Sequence, residues 1–250
     1  METYRKIMEE VLENLSQILK RIEQACEKSG RRAGEVKLLM ATKTVSPERI
    51  KIALRAGQTL IGENKVQEVK EKYEALKDTP HELHFIGHLQ TNKIKDILRY
   101  GVSCVQSLDR WELAEKLHHR LTFEKKKINV FIQVNTSGEE SKFGVHPHQA
   151  LALVQQVAQL DTLQIRGLMT IGLFSAETEK VRPCFRLLKT IQMQIRALGL
   201  PNVSVDDLSM GMSGDLELAI EEGATIVRVG TAIFGKRKYP DSFYWNERRG

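Results

Sequence analysis

Three places in this sequence carry residues able to do chemistry. The first is Lys43, which follows the apolar run Val36-Lys-Leu-Leu-Met-Ala41 and precedes Ser46-Pro47, a helix start with Ser46 as N-cap and Pro47 as first helical residue. Such a run reads as a strand buried on both faces of a parallel sheet, and ligands gather at the carboxyl ends of such strands. A lysine placed there is partly desolvated, which disfavours its ammonium and frees the amine to attack a carbonyl. Lys43 also reads as a solvated loop lysine, since lysines are mostly exposed. The second place is a pair of loops, Ser209-Met-Gly-Met-Ser-Gly214 and Gly230-Thr-Ala-Ile-Phe-Gly235. Gly211, Gly214 and Gly230 let backbone approach an anion, Ser213 caps the following helix and offers a hydroxyl, and Thr231 offers a second. Taken singly, these are also ordinary turn and cap residues. The third is Arg228, two residues before Gly230. It fits the ring nitrogen of a ligand and equally an ion pair with a glutamate.

What positions these residues is a regular alternation. Strand patterns fall at 36–41, 59–62, 83–87, 102–106, 128–134, 163–171, 203–208 and 225–229. Helical patterns separate them at 47–56, 63–76, 91–98, after a cap at Ser107 or Asp109, 147–159, 177–198 and 214–221. Ahead of the first strand, Ile7, Val11, Leu15, Ile18, Ile22 and Ala25 recur at helical spacing. Eight β/α units within 250 residues and no composition break predict an α/β fold: a single (β/α)8 TIM barrel with an extra N-terminal helix, one domain over 1–250. The rival is an open doubly wound sheet. It usually has fewer strands and often a glycine-rich first turn, whereas the turn here is Thr42-Lys-Thr-Val45.

Composition narrows the partners. A net charge of +6 is spread over short clusters, 125–127, 236–238 and 248–249, and aromatics are only 6% of residues. That is surface charge rather than the basic, aromatic-interleaved stripe of a nucleic-acid binder. No apolar run spans a membrane, the N-terminus is too polar for a signal peptide, and Cys26, Cys104 and Cys184 show neither metal spacing nor a disulfide framework. The expectation is a cytoplasmic protein without metal.

In a closed barrel, strands eight and one are neighbours. A ligand with a phosphate at one end and an aldehyde at the other bridges the two loops and Lys43, and pyridoxal 5′-phosphate (PLP) has that shape, with a lysine Schiff base as its usual tether. Arg228 at its ring nitrogen would keep that nitrogen unprotonated and weaken the ring as an electron sink. From these residues alone, a phosphate-binding barrel enzyme without PLP stays open.

Seven segments carry a resemblance across nearly the whole chain: Ala41-Thr-Lys-Thr-Val-Ser46, Ile61-Gly-Glu-Asn-Lys-Val-Gln-Glu68, His84-Phe-Ile-Gly-His-Leu-Gln-Thr-Asn-Lys93, Val134-Asn-Thr-Ser-Gly-Glu-Glu-Ser-Lys-Phe-Gly144, Arg166-Gly-Leu-Met-Thr-Ile171, Leu208-Ser-Met-Gly-Met-Ser213 and Val227-Arg-Val-Gly-Thr-Ala-Ile-Phe-Gly235. In them the chain resembles the YggS/PROSC-type pyridoxal phosphate homeostasis proteins, which are similar in fold to the N-terminal barrel of alanine racemase. The resemblance implies that Lys43 carries the Schiff base, that Ser213, Gly230 and Thr231 hold the phosphate, that Arg228 faces the ring nitrogen and that Asn64 lies near the cofactor. His88 and Met169 sit at matching strand ends with no assigned role, His88 reading equally as a hydrogen-bonded structural histidine. The loop 136–144 matches without a physical role. Lys65 departs from the family, where an aromatic is frequent.

Two functions compete. One is a PLP carrier in vitamin B6 homeostasis, with apo-PLP enzymes as recipients and no turnover. The other is a PLP-dependent amino-acid racemase-like enzyme, which needs acid/base groups on both faces of the ring. The chain ends fifteen residues after Gly235, leaving no room for a β-rich second domain, and none of its five tyrosines falls at a strand top. The expectation is therefore a monomeric carrier and not an enzyme.

Overall fold

In a computed structural model that describes residues 2–173, 175 and 177–235, parallel strands close into a barrel in strict chain order. They are β1 (Lys37–Ala41), β2 (Leu60–Glu63), β3 (Glu82–Phe85), β4 (Cys104–Leu108), β5 (Ile128–Gln133), β6 (Leu163–Met169), β7 (Val203–Ser209) and β8 (Ile226–Val229). The outer layer is α1 (Glu2–Lys28), α2 (Pro47–Arg55), α3 (Val66–Leu76), α4 (Ile94–Arg99), α5 (Trp111–Glu124), α6 (Ala150–Val157), α7 (Arg182–Ala197), α8 (Leu216–Glu221) and the single turn α9 (Thr231–Phe234). β1 pairs with β8 with Met40 opposite Val229, which closes the ring at the two elements the sequence singles out.

Two apolar layers hold this together. Leu39, Leu60, Cys104, Phe131, Met169 and Ile226 pack inside the barrel. The other strand faces meet helix stripes such as Phe185, Leu188, Ile191 and Ile195 of α7, each fully buried large side chain stabilising by about 1.5–3 kcal/mol. α1 packs on α8, α9 and α2, filling the place a full eighth outer helix would take after β8. It is tied there by Arg21 to Glu217 (2.6 Å) and Asn14 to the Ile233 carbonyl (3.1 Å), and just past its end Arg31 donates to the Ala224 carbonyl (2.8 Å).

The differences from the sequence reading have physical causes. Glu63 is the last residue of β2 rather than the start of a helix, because it pairs with Phe85 in register and its carboxylate finds buried partners. β4 runs two residues later than expected, so Ser107 lies inside a strand and caps nothing; α5 begins after Arg110. Ser46 stands at the N-cap of α2 without a side-chain capping hydrogen bond. Ser213 is not the cap of α8; Asp215 holds that position and accepts from the Met212 N–H (2.5 Å). The tail after Gly235, with its basic clusters and Tyr239 and Tyr244, lies outside the described residues. Among the described residues no helix is long and apolar enough to cross a membrane, and no group of three or more His, Cys, Asp or Glu could hold a metal ion.

Candidate functional site

The carboxyl ends of β1, β7 and β8 bring the sequence-selected residues together. Lys43 follows β1 by two residues and is buried, 6% exposed. Gly230 stands directly beside that strand: a Cβ at position 230 would lie 2.8 Å from the Ala41 carbonyl oxygen. Only a glycine lets β8 end so close to β1. Thr231 opens α9, exposed at the mouth. The preceding loop joins in through backbone, because the Arg228 N–H donates to the Gly211 carbonyl (2.9 Å). Gly211 has a φ of +89° and a Cβ there would meet that of Ala219 at 2.4 Å, so this turn too requires glycine. Ser213 sits in the same loop, its carbonyl accepting from Arg21 of α1 (2.9 Å).

Arg228 is buried inside the barrel, 6% exposed. It makes no ion pair with a glutamate in the described structure; it donates to Ser209 Oγ (2.9 Å) and to the Thr170 carbonyl (2.7 Å). Burial pulls its pKa down to about 10, with the Asp215 charge acting against the fall, so the guanidinium stays cationic at neutral pH. Burial in turn raises the Asp215 carboxyl, opposed by the Met212 N–H and by Arg228. Behind Arg228 runs a buried polar chain. Ser209 donates to Gln106 Oε1 (2.7 Å), the Gln106 amide meets His84 Nδ1 (2.7 Å), and His84 Nε2 meets Glu82 (3.0 Å). With the amide oxygen engaged by Ser209, the amide N–H donates to Nδ1, which fixes the His84 proton on Nε2 facing Glu82.

Sequence reasoning missed this chain, and missed a second cluster under Lys43. Thr42 donates to Glu63 (2.6 Å), while Lys72 of α3 donates to Glu63 (2.7 Å), to Glu68 (2.7 Å) and to the Thr42 carbonyl (2.8 Å). Burial pushes the Glu63 carboxyl up to about 7, against the pull of Lys72 and with help from the Glu68 charge. The signal available in the sequence was a Glu68/Lys72 pair at i,i+4, which reads as a solvated helix face.

The remaining expected residues divide. Asn64 lies just before α3, and its backbone abuts Gly87, where a Cβ would stand 2.0 Å from the Asn64 carbonyl oxygen. Met169 is barrel core rather than a mouth residue. His88 stacks on Phe143 (4.0 Å between centroids). That contact gives the loop 136–144 a place: it docks on His88 and is pinned by Gln133 to the Phe143 carbonyl (3.0 Å) and by Lys142 to the Gly172 carbonyl (2.7 Å).

A closed barrel with a buried lysine and glycine loops at the ends of its first, seventh and eighth strands is the alanine racemase N-terminal type of domain, and that family matches residues 13–238. A pyridoxal phosphate homeostasis protein of Aquifex aeolicus is 47% identical over 227 residues, covering 91% of this chain and 98% of its relative. A crystal structure of an unknown protein from Bifidobacterium adolescentis superposes with a TM-score of 0.85 at 40% identity, over 92% and 96% of the two chains. PipY of Synechococcus elongatus, in a structure with PLP bound, does so with a TM-score of 0.76 at 32% identity, over 86% of this chain and all of that one. The chain belongs to the pyridoxal phosphate homeostasis protein family.

Proposed function

We propose that this chain, as one barrel domain, binds PLP and holds it as a Schiff base on Lys43, storing the cofactor for delivery without turning over a substrate of its own. The amine would attack the aldehyde carbon, a C=N bond would form and water would leave. The backbone and hydroxyls of Ser213, Gly230 and Thr231 would take the phosphate, Arg228 would meet the ring nitrogen, and Asn64 would flank the ring. When bound, PLP supplies an electron sink. The chain's own residues restrain it, because a permanent cation at the ring nitrogen opposes its protonation.

The observation that supports this reading is the close approach of Gly230 to Ala41, two residues before Lys43, which brings the turn after β8 beside the lysine. Residues and group fit. The cradle is one that a Cβ would fill, and Arg228 is a buried cation that donates to a hydroxyl and a carbonyl rather than to a carboxylate. The PLP-bound relative supports the ligand and the family name supports homeostasis. A racemase-like reading needs an acid on the second face of the ring. Of the described tyrosines, Tyr73 and Tyr100 pack edge to face (5.2 Å) on the outer layer and Tyr4 lies on α1; none stands on a strand or on the loop after one. A monomer in the reducing cytoplasm fits the free buried thiols of Cys26, Cys104 and Cys184. The test is transfer: chain loaded with PLP, mixed with an apo-PLP enzyme, should restore that enzyme's activity. A steady racemase or transaminase rate on any common amino acid, abolished by Lys43→Ala, would overturn the carrier reading.

A further inference from the structure

The cluster below Lys43 grips the two peptide groups that flank it. On one side the Thr42 carbonyl accepts from Lys72 (2.8 Å); on the other the Thr44 N–H donates to Glu68 Oε2 (2.6 Å). Lys72 and Glu68 face one another one turn apart on α3 and are joined by their own ion pair (2.7 Å). Thr42 is held a second time, its N–H on the Gly62 carbonyl (2.9 Å) and its hydroxyl on Glu63. Between these fixed points the chain bends sharply: Thr44 has a φ of +64°. A β-branched residue in the left-handed region is a genuine outlier, and it persists only where the surroundings over-determine it. Thr44 is exposed, so apolar packing does not impose the bend; it is the third residue of a turn closed by the Val45 N–H on the Thr42 carbonyl (2.9 Å), and the charge-assisted hydrogen bond from its own N–H to Glu68 holds it there.

A cluster serving only to pin α3 to the barrel needs no such arrangement. α3 already buries Val69 and Leu76 against the sheet layer. The ion pairs are costly in that setting, since Lys72 and Glu63 are 10% and 2% exposed at their side chains and one Glu63 oxygen, Oε2, is buried with no hydrogen-bond partner. What the cost maintains is one direction for the residue between Thr42 and Thr44.

We infer that Lys72 and Glu68 are positioning residues for Lys43, clamping its two neighbouring peptide groups so that the amine leaves β1 along one fixed course; the inference rests on Lys43 being the Schiff-base lysine. Glu63 completes the clamp by accepting from Lys72 (2.7 Å) and from the Thr42 hydroxyl (2.6 Å). The clamp acts on imine formation and leaves recognition of the phosphate and ring to β7 and β8.

The experiment compares two ligands on the full chain. PLP reports the imine through its visible absorbance; pyridoxine 5′-phosphate has the same phosphate and ring but no aldehyde. Glu68→Ala removes the acceptor for Thr44 and should weaken PLP about tenfold, the loss of one charge-assisted hydrogen bond. Its pyridoxine 5′-phosphate affinity should stay within about twofold, below the loss of any one such bond. Glu68→Gln keeps an acceptor oxygen at the same reach and should recover most of the PLP affinity. Lys72→Met should repeat the Glu68→Ala pattern, and the Glu68 pair carries the test if that variant fails to fold. Equal losses for both ligands, or PLP affinities like the wild type, would overturn the clamp while leaving Lys43 in place. A wild-type chain that forms no borohydride-reducible imine would remove the Lys43 reading and the clamp with it.

Discussion

Gly230 and Ala41 touch across the seam where β8 meets β1, and the contact leaves no room for a side chain: a Cβ at 230 would stand 2.8 Å from the Ala41 carbonyl oxygen and 3.4 Å from its Cβ. The obstacle is backbone of a central strand, which cannot rotate away. Gly230→Ala should therefore cost about 1–3 kcal/mol of stability, the usual price of overpacking. It should also push the turn away from Lys43 and weaken PLP. Thermal unfolding and a PLP titration measure the two effects. A variant as stable and as tightly bound as the parent would show that the seam is looser than the geometry states.

Arg228 and Gln106 share Ser209, one donating to its oxygen and the other accepting its proton. Arg228→Met leaves the Thr170 carbonyl and Ser209 short of a donor; Gln106→Leu leaves Ser209 and His84 Nδ1 short of a partner. Each should destabilise by about 1–3 kcal/mol, the penalty for a buried unsatisfied group. Because both single changes disable the same chain, the double variant should cost less than their sum, with a coupling of about 0.5–3 kcal/mol. Strict additivity in chemical denaturation would show that the chain does not act as a unit.

Glu63 gives a pH dependence with a definite sign. Its folded-state pKa is pushed up from 4.5 to about 7, so the folded chain binds this proton more tightly than the unfolded chain does. The stabilising contribution is fully present below 4.5 and is lost as pH rises through about 7. Glu63→Gln stays neutral throughout. Its melting temperature relative to the parent should rise as pH increases across that window, and a constant difference would contradict the assignment.

The eight-unit alternation was legible because strands such as β1, β5 and β8 are apolar runs and polar turn residues separate the units, and the places of Lys43, Arg228, Gly230 and Thr231 at strand ends followed from it. What sequence could not show is pairing between distant positions. Lys72 lies 30 residues from Thr42 and looks like a solvated helix lysine until the fold turns it inward. Gln106 and Ser209 lie 103 residues apart, and each alone suggests a strand terminus rather than half of a buried hydrogen bond. Local caps failed for a related reason. Ser213 has the right chemistry to cap α8, but Asp215 stands at the N-cap position, and its carboxylate turns back to the Met212 N–H of the preceding loop instead of capping the first turn. The loop 136–144 gave no sign of its docking because Phe143 and His88 meet only in the closed barrel.

The claim on which the functional account stands is a covalent bond between PLP and one lysine. The direct measurement is borohydride reduction of the PLP-loaded chain followed by peptide mass mapping, repeated with Lys43→Ala. The account predicts a phosphopyridoxyl group on the peptide that contains Lys43, and loss of both the adduct and the visible band in Lys43→Ala. An adduct on a different lysine, or an undiminished band in Lys43→Ala, would contradict it.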